Sequence, residues 1–347
     1  MDDLPLRYGC LLMPRDLART REAARLAEAG GLDWFGLGDS PAVFEDVALH
    51  LAEAARVTSR ISLGPIATHV VIRHPLVVAN QLATLAELSG DRVVAAVATG
   101  NSAARGLGLP PATRAQLAEA LSLMRGYWRG EGGTYGRSTV PGSSIRRADV
   151  PLFVAGDGPL GMRLGAELGD GVLYSGSLEP SVLTRRVAVA LEGPGRAGGP
   201  GEPWSRAHQC WVAAACSVNA PGEAARELGP ALVAIANRAL RGDLTERGIP
   251  EALQADVAAM RNEYDYAAHG TYERPRNREV MSAALAEHLL GSFCITGDEQ
   301  AWRDRLVALR NAGVDGVVFI VNQAEELATL AAVIERLHRL GGTRPVR

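Results

Sequence analysis

A chain of 347 residues, 47% hydrophobic and 22% charged, has enough apolar sequence for one large core or two ordinary ones. Its formal net charge is -3 with acids and bases interspersed, which excludes the basic footprint of a nucleic-acid binder and the basic face of a membrane-surface helix. No apolar run approaches the ~18 residues of a spanning helix, the acidic start MDDLPLRYG does not read as a signal peptide, and Cys10, Cys210, Cys216 and Cys294 fall in neither CxxC nor metal-ligand spacing, so a reducing cytoplasm and no metal centre are expected.

Strand-like runs alternate with helical stretches from end to end. RYGCLLM (7–13) leads to a helix over 17–30 that stops at Gly30-Gly31. WFGLGD (34–39) is followed by a helix over 43–59, ISLGPIA (61–67) by one over 76–88, and RVVAAVAT (92–99) by one over 112–128. PLFVAG (151–156), GVLYSG (171–176) and HQCWVAAACSV (208–218) come next, and a helix over 301–313 feeds GVVFIV (316–321) before a last helix over 324–340. Near-continuous apolar runs are the pattern of strands covered by helices on a parallel sheet. Eight such units predict an α/β fold, a (β/α)8 TIM barrel forming a single domain over 1–347, with a doubly wound open sheet as the alternative. Two segments break the rhythm. GPGRAGGPGEPWS (193–205) reads as a surface loop on the face away from chemistry. The stretch 220–297 follows the seventh strand, is far too long for one crossover helix, and begins on the C-terminal face; it is expected to be a helical insertion roofing a pocket.

Candidate chemistry collects at strand ends. Strand 5 runs into AGDGPLGMRLG, a G-x-G-x-x-G at Gly156, Gly158 and Gly161 that can bring backbone N–H groups to a phosphate at a helix start, with Pro159 in the first turn. A dinucleotide site would also need an acid after the next strand; that strand ends Tyr174-Ser175-Gly176-Ser177, so a phosphate cradle is preferred to it and a plain tight turn is the bland reading. Gly100-Asn101-Ser102 after strand 4 offers small donors or a helix cap, and Asp39 after strand 2 reads either as a functional acid or as a cap for the helix near Val43. Strand 3 meets Pro65 and then Thr68, His69, Arg73 and His74. Tyr264, Tyr266, Tyr272 and His269 form a polar aromatic cluster in the insertion, as pocket lining or as rim packing. No histidine pair has zinc spacing, and no GxSxG, Walker A or kinase motif is present.

The segments AEAGGLDWFGLGDS, TSRISLGPIATHVVIRHPLVVANQLATLAELSGDRVVAAVATGNSA, VPLFVAGDGPLGMRLGAELGDGVLYSG, YDYAAHG and GVDGVVFIV, in this order over nearly the whole chain, resemble the bacterial luciferase-like superfamily. GPIAT before RHP, the GNSA turn, AGDGP and YDY-AHG resemble its branch of coenzyme F420-dependent oxidoreductases, methylene-tetrahydromethanopterin reductases among them. The resemblance implies hydride transfer between F420 and a small organic substrate in a cytoplasmic homodimer. An FMN-dependent monooxygenase and a non-catalytic luciferase-like subunit are the rival readings. It implies a coenzyme at the C-terminal mouth of the barrel and a bulge after strand 3 with a non-prolyl cis peptide, which counting back from Arg73 puts at Ile66-Ala67. The cofactor-binding residues expected are Asp39, Gly64, Ile66, Ala67, Thr68, Asn101, Ser102, Ala155, Gly156, Gly158, Pro159, Ser175 and Gly176, with Tyr264, Tyr266 and His269 in the substrate pocket. Asp39 and His69 are the catalytic candidates. Several relatives carry a histidine directly after the strand 2 acid, where this chain has Ser40, so proton donation falls to Asp39 or to another group such as His69. Arg73-His74-Pro75 is read as the start of the next helix, outside the site.

Overall fold

Short β-branched and apolar runs pair in parallel and, taken in turn, come back to where they start. A computed structural model describes residues 6–142, 148–192, 208–219, 221–269, 276–321 and 324–341. Strand 1 (Arg7–Leu12) lies between strand 2 (Trp34–Leu37) and strand 8 (Gly316–Ile320). Beyond strand 8 come strand 7 (Gln209–Ser217), strand 6 (Gly171–Tyr174), strand 5 (Leu152–Ala155) and strand 4 (Ala95–Ala98). Strand 3 is in two pieces: Ser62–Pro65 pairs with strand 2, and Thr68–His69 pairs with strand 4. The sheet therefore begins and ends on the same strand, and a parallel bridge from Leu63 to Val93 completes the closure. This is the expected eight-stranded barrel. Between the two pieces the Ile66-Ala67 peptide bond is cis, at the position counted from Arg73.

Side chains alternate along each strand, as a pleated strand requires. Cys10, Leu12, Phe35 and Leu37 face the helices, while Leu11 and Trp34 face the barrel axis. At the amino end of the barrel Trp34, Phe153 and Trp211 meet with ring centroids 5.5 to 6.4 Å apart. A Cβ at Gly316 would fall 2.5 Å from the Trp211 ring, so glycine there makes room for it. This aromatic floor leaves the carboxyl end as the open one.

The helices start where caps dictate. The helix expected from residue 43 begins at Val47, because Asp46 accepts from the N–H groups of Ala48 and Leu49. His74 caps Pro75–Ser89 through Nδ1, and Thr113 with Gln116 forms a capping box for Arg114–Arg129. Two short pieces are not marked in the sequence: a hairpin of Gly133–Tyr135 with Ser138–Val140, and a strand Cys294–Thr296 that pairs in parallel with the end of strand 7. The helix at Asn101–Arg105 is there as the capping reading expects, but Gly100 caps it, with no side-chain cap from Asn101 or Ser102. After strand 7 come helices Pro221–Ala239, Glu251–Asn262, Arg276–Glu279 and Ala283–Phe293, with a 3-10 turn at Tyr266–Ala268. The loop expected at 193–205 and Tyr272 lie outside the described residues. Among the described residues no helix is long and apolar enough to cross a membrane.

Candidate active site

The carboxyl ends of the strands and the insertion enclose a cavity of about 410 Å³. Its wall at strand 3 is Ile66, Ala67 and His69. The Ile66 side chain turns away onto strand 2, where Gly36 receives it: a Cβ at Gly36 would lie 2.2 Å from Ile66 Cδ1. His69 is 1% exposed, lines the cavity, and among the described residues neither ring nitrogen has a hydrogen-bond partner. Desolvation lowers its pKa, against the pull of Asp39 and with the help of Arg73, so near pH 7 it is a neutral imidazole carrying one donor and one acceptor. Gly100 backs this ring. Its φ of 82° is in the left-handed region, and a Cβ there would lie 2.9 Å from His69 Cβ.

Asp39 is the strand 2 acid, and both of its carboxylate oxygens are engaged by protein donors. Thr68 Oγ1 donates to its Oδ2 at 2.7 Å, and Arg73 Nη1 donates to its Oδ1 at 2.7 Å; Arg73 Nη2 reaches Asp46 at 3.0 Å. Both carboxylate oxygens thus already accept. Arg73 is not merely a helix lead-in: it neutralises the buried acid, while His74 takes the capping role expected for that triplet. Asp46, not Asp39, caps the following helix.

At strand 5, Gly156 and Gly161 pack backbone to backbone, a Cβ on the first falling 3.1 Å from the second. These two glycines serve the tight turn. Gly158 makes room for Arg247, whose Nη2 would lie 3.1 Å from a Cβ there, and it caps helix Pro159–Leu168 with no side-chain acceptor. Arg247 Nη1 also donates to the Asp157 carbonyl at 3.1 Å. Asp157 Oδ1 accepts from the N–H and the hydroxyl of Ser175 at 2.9 and 2.8 Å, joining the strand 5 and strand 6 ends.

Of the residues expected at the site, Asp39, Ile66, Ala67, His69, Asn101, Ser102, Ala155, Gly156, Gly158, Ser175 and His269 border the cavity. Six do not. Gly64 faces strand 4, where a Cβ would meet the Val94 carbonyl oxygen at 1.6 Å. Thr68 stands behind Asp39, Pro159 lies in the helix turn, and Gly176 packs on the Tyr174 ring. Tyr264 and Tyr266 pack on each other with centroids 5.0 Å apart, behind His269 and Arg241 respectively. The Tyr264 hydroxyl pairs with His269 Nδ1, and the Tyr266 hydroxyl accepts from Arg241 Nη2 at 2.8 Å. The charged residues that sequence reasoning missed on this border are Arg105, Asp157, Arg238, Arg241 and Arg247. Arg238 and Arg241 lie three residues apart in the sequence, the available signal, although Arg241 falls two residues beyond the end of helix Pro221–Ala239.

Desolvation, followed by the Arg238 charge, pushes the His269 pKa down to about 4. An unfolded histidine takes its proton near 6.5. Between those values the unfolded chain binds the extra proton, so stability is intact above pH 7 and falls as pH drops toward 4, by at most about 3 kcal/mol from this group. Urea midpoints measured between pH 7.5 and 4.5 should fall on acidification, and His269→Gln should flatten that slope. An unchanged slope would contradict the burial of a neutral His269.

A closed parallel barrel, floored at one end and bearing a polar cavity at its carboxyl mouth, defines a barrel that takes a small-molecule ligand there. The chain belongs to the luciferase-like monooxygenase family, which matches residues 7–316. It is 25% identical over 325 residues to a 5,10-methylenetetrahydromethanopterin reductase of Methanolobus tindarius, covering 90% of this chain and 93% of that one. It is 33% identical over 201 residues to an F420-dependent glucose-6-phosphate dehydrogenase of Beutenbergia cavernae, covering 51% of this chain and 57% of that protein. The fold is similar to that of the coenzyme F420 dependent tetrahydromethanopterin reductase of Methanopyrus kandleri, with a TM-score of 0.73, 21% identity, and coverage of 96% and 99% of the two chains.

Proposed function

We propose that this chain is an F420-dependent oxidoreductase acting on a small organic molecule. The observation that carries the reading is the cavity: a backbone wall at Ile66-Ala67 beside His69, whose two ring nitrogens lack protein partners, with the Gly158 and Arg247 cradle also on its border. A buried imidazole with both nitrogens unpartnered fits a planar heterocycle edged by donors and acceptors. The free first turn after Gly158, with Arg247 on it, fits the phosphate of the coenzyme's tail. Relatives that are F420-dependent by name lend the same support.

When bound, the deazaflavin would supply hydride chemistry; the chain's share is binding, orientation and exclusion of water. Ile66 and Ala67 would back the ring, and the insertion would cover it. Asp39, fixed by Arg73 and Thr68, holds strand 2 to strand 3 at the border of the site. His69 is the group able to accept or give a proton at the wall, taking the part that the missing histidine at position 40 would otherwise play. The protein is further proposed to work as a cytoplasmic homodimer, on the resemblance to its superfamily; a solution mass equal to one chain would contradict this.

Equilibrium titration tests the cofactor assignment. Purified chain should bind F420 saturably, read by deazaflavin fluorescence, and bind FMN at least tenfold more weakly. Tight FMN binding with no F420 binding would transfer the chain to the monooxygenase reading.

A further inference from the structure

The insertion brings more positive charge to the cavity than the barrel answers. Arg238, Arg241 and Arg247 border it from the insertion, and Arg105 from the short helix after strand 4. Among the described residues the carboxylates on its border are Asp39 and Asp157. Asp39 is matched by Arg73, which stands outside the cavity. That leaves Asp157, among the described residues, as the carboxylate set against the four arginines of the cavity border, and its Oδ1 is already taken by Ser175.

The arginines are not equally committed. Arg247 is tied to the Asp157 carbonyl and lies on Gly158. Arg241 spends Nε and Nη2 on Asn237 and Tyr266. Arg238 Nε is paired with Asp157 Oδ2 only at 3.6 Å, beyond hydrogen-bond reach, and among the described residues its Nη2 is buried with no hydrogen-bond partner either. On the barrel side Asn101 Nδ2 is likewise buried and unpaired. All three orphaned atoms are donors. Leaving a buried donor unsatisfied costs ~1–3 kcal/mol, so this arrangement calls for a ligand rich in acceptors and negative in charge. Arg238 sits in the last turn of helix Pro221–Ala239 and Arg241 two residues beyond its end, and both border the cavity, where two guanidinium groups suit one anionic group. Burial and the charge of nearby Arg105 both lower the Arg241 pKa, a tension that a bound anion would relieve.

We propose that Arg238 and Arg241 form an oxyanion site for the substrate, which therefore carries a carboxylate or phosphate group. The word substrate here rests on the F420 reading; the oxyanion site itself does not. Arg247, on the cradle, is assigned to the coenzyme's tail and is left out of this site.

The test uses the protein saturated with F420 and inorganic phosphate as the probe, with melting temperature and deazaflavin fluorescence as readouts. Phosphate should bind the loaded protein and raise its melting temperature, with F420 affinity unchanged. Arg238→Gln and Arg241→Gln should each weaken phosphate at least tenfold with F420 affinity within twofold of the parent, while Arg238→Lys retains most of the phosphate binding. Arg226→Gln, on the same helix but exposed and away from the cavity, should change nothing. Competition between phosphate and F420 would assign these arginines to the coenzyme's tail and overturn the proposal. So would parental phosphate binding in both Gln variants, or an equal loss in Arg226→Gln. If F420 does not bind but phosphate binds the free chain and needs Arg238 and Arg241, the oxyanion site stands and the cofactor reading falls.

Discussion

Gly64→Ala is expected to cost at least about 3 kcal/mol and to lower the melting temperature by about 5 °C or more. The new Cβ would sit 1.6 Å from the Val94 carbonyl oxygen and 2.8 Å from its carbon. Both are backbone atoms, so no rotamer change relieves the clash. Strands 3 and 4 must separate, and the bonds at risk are Leu63 N–H to the Arg92 carbonyl at 2.7 Å and Val94 N–H to the Leu63 carbonyl at 3.0 Å. Those are the bonds at the seam where the sheet closes on itself. A domain with ~5–15 kcal/mol of total stability can lose much of its soluble yield to such a change. Gly222→Ala is the control: nothing lies within 4 Å of its Cβ, and helix propensity favours alanine by up to ~1 kcal/mol. A Gly64→Ala protein melting within 2 °C of the parent would show that the seam is not closed as described.

Arg73→Met is expected to destabilise by ~3–5 kcal/mol, because it strands a carboxylate whose side chain is 1% exposed. Asp39→Asn combined with Arg73→Met removes the charge as well as its partner and should recover much of that loss, a coupling of ~2 kcal/mol or more. Urea unfolding of the parent, both single variants and the double variant measures it. Additive single effects would mean that Arg73 contributes by packing alone, and Asp39 would then be available for the donor role it lacks here. Thr68 stays with Asp39 in every variant, so the cycle isolates the ion pair.

The barrel was legible because strands buried on both faces read as apolar runs, and eight of them alternate with capped helices. The break in strand 3 was legible too: Pro65 ends the regular ladder, and Thr68-His69 resumes it on the neighbouring strand. Helix starts were less so, since Asp46 caps only through its own side-chain geometry, and 43–46 look equally helical in composition. Three-residue strands such as Gly133–Tyr135 and Cys294–Thr296 are too short to show a period. The glycine motif was read as one device, but the fold divides it: Gly156 and Gly161 pack against each other, and Gly158 receives an arginine from 89 residues further on, at Arg247. Long-range charge matching was the least readable feature. Nothing local in VVIRHP says that Arg73 answers Asp39, or that an insertion rich in alanine and leucine turns its arginines toward the barrel mouth.

If F420 occupies the cavity at the carboxyl mouth of the barrel, as proposed, filling that cavity must weaken its binding. Ala155 ends strand 5 in regular backbone and borders the open space, so a longer side chain there can extend into the cavity without disturbing the core. Fluorescence titration of parent and Ala155→Leu should show F420 binding weakened at least tenfold in the variant, with melting temperatures within 2 °C of each other. Equal F420 affinity in the two proteins would contradict the placement of the coenzyme in this cavity.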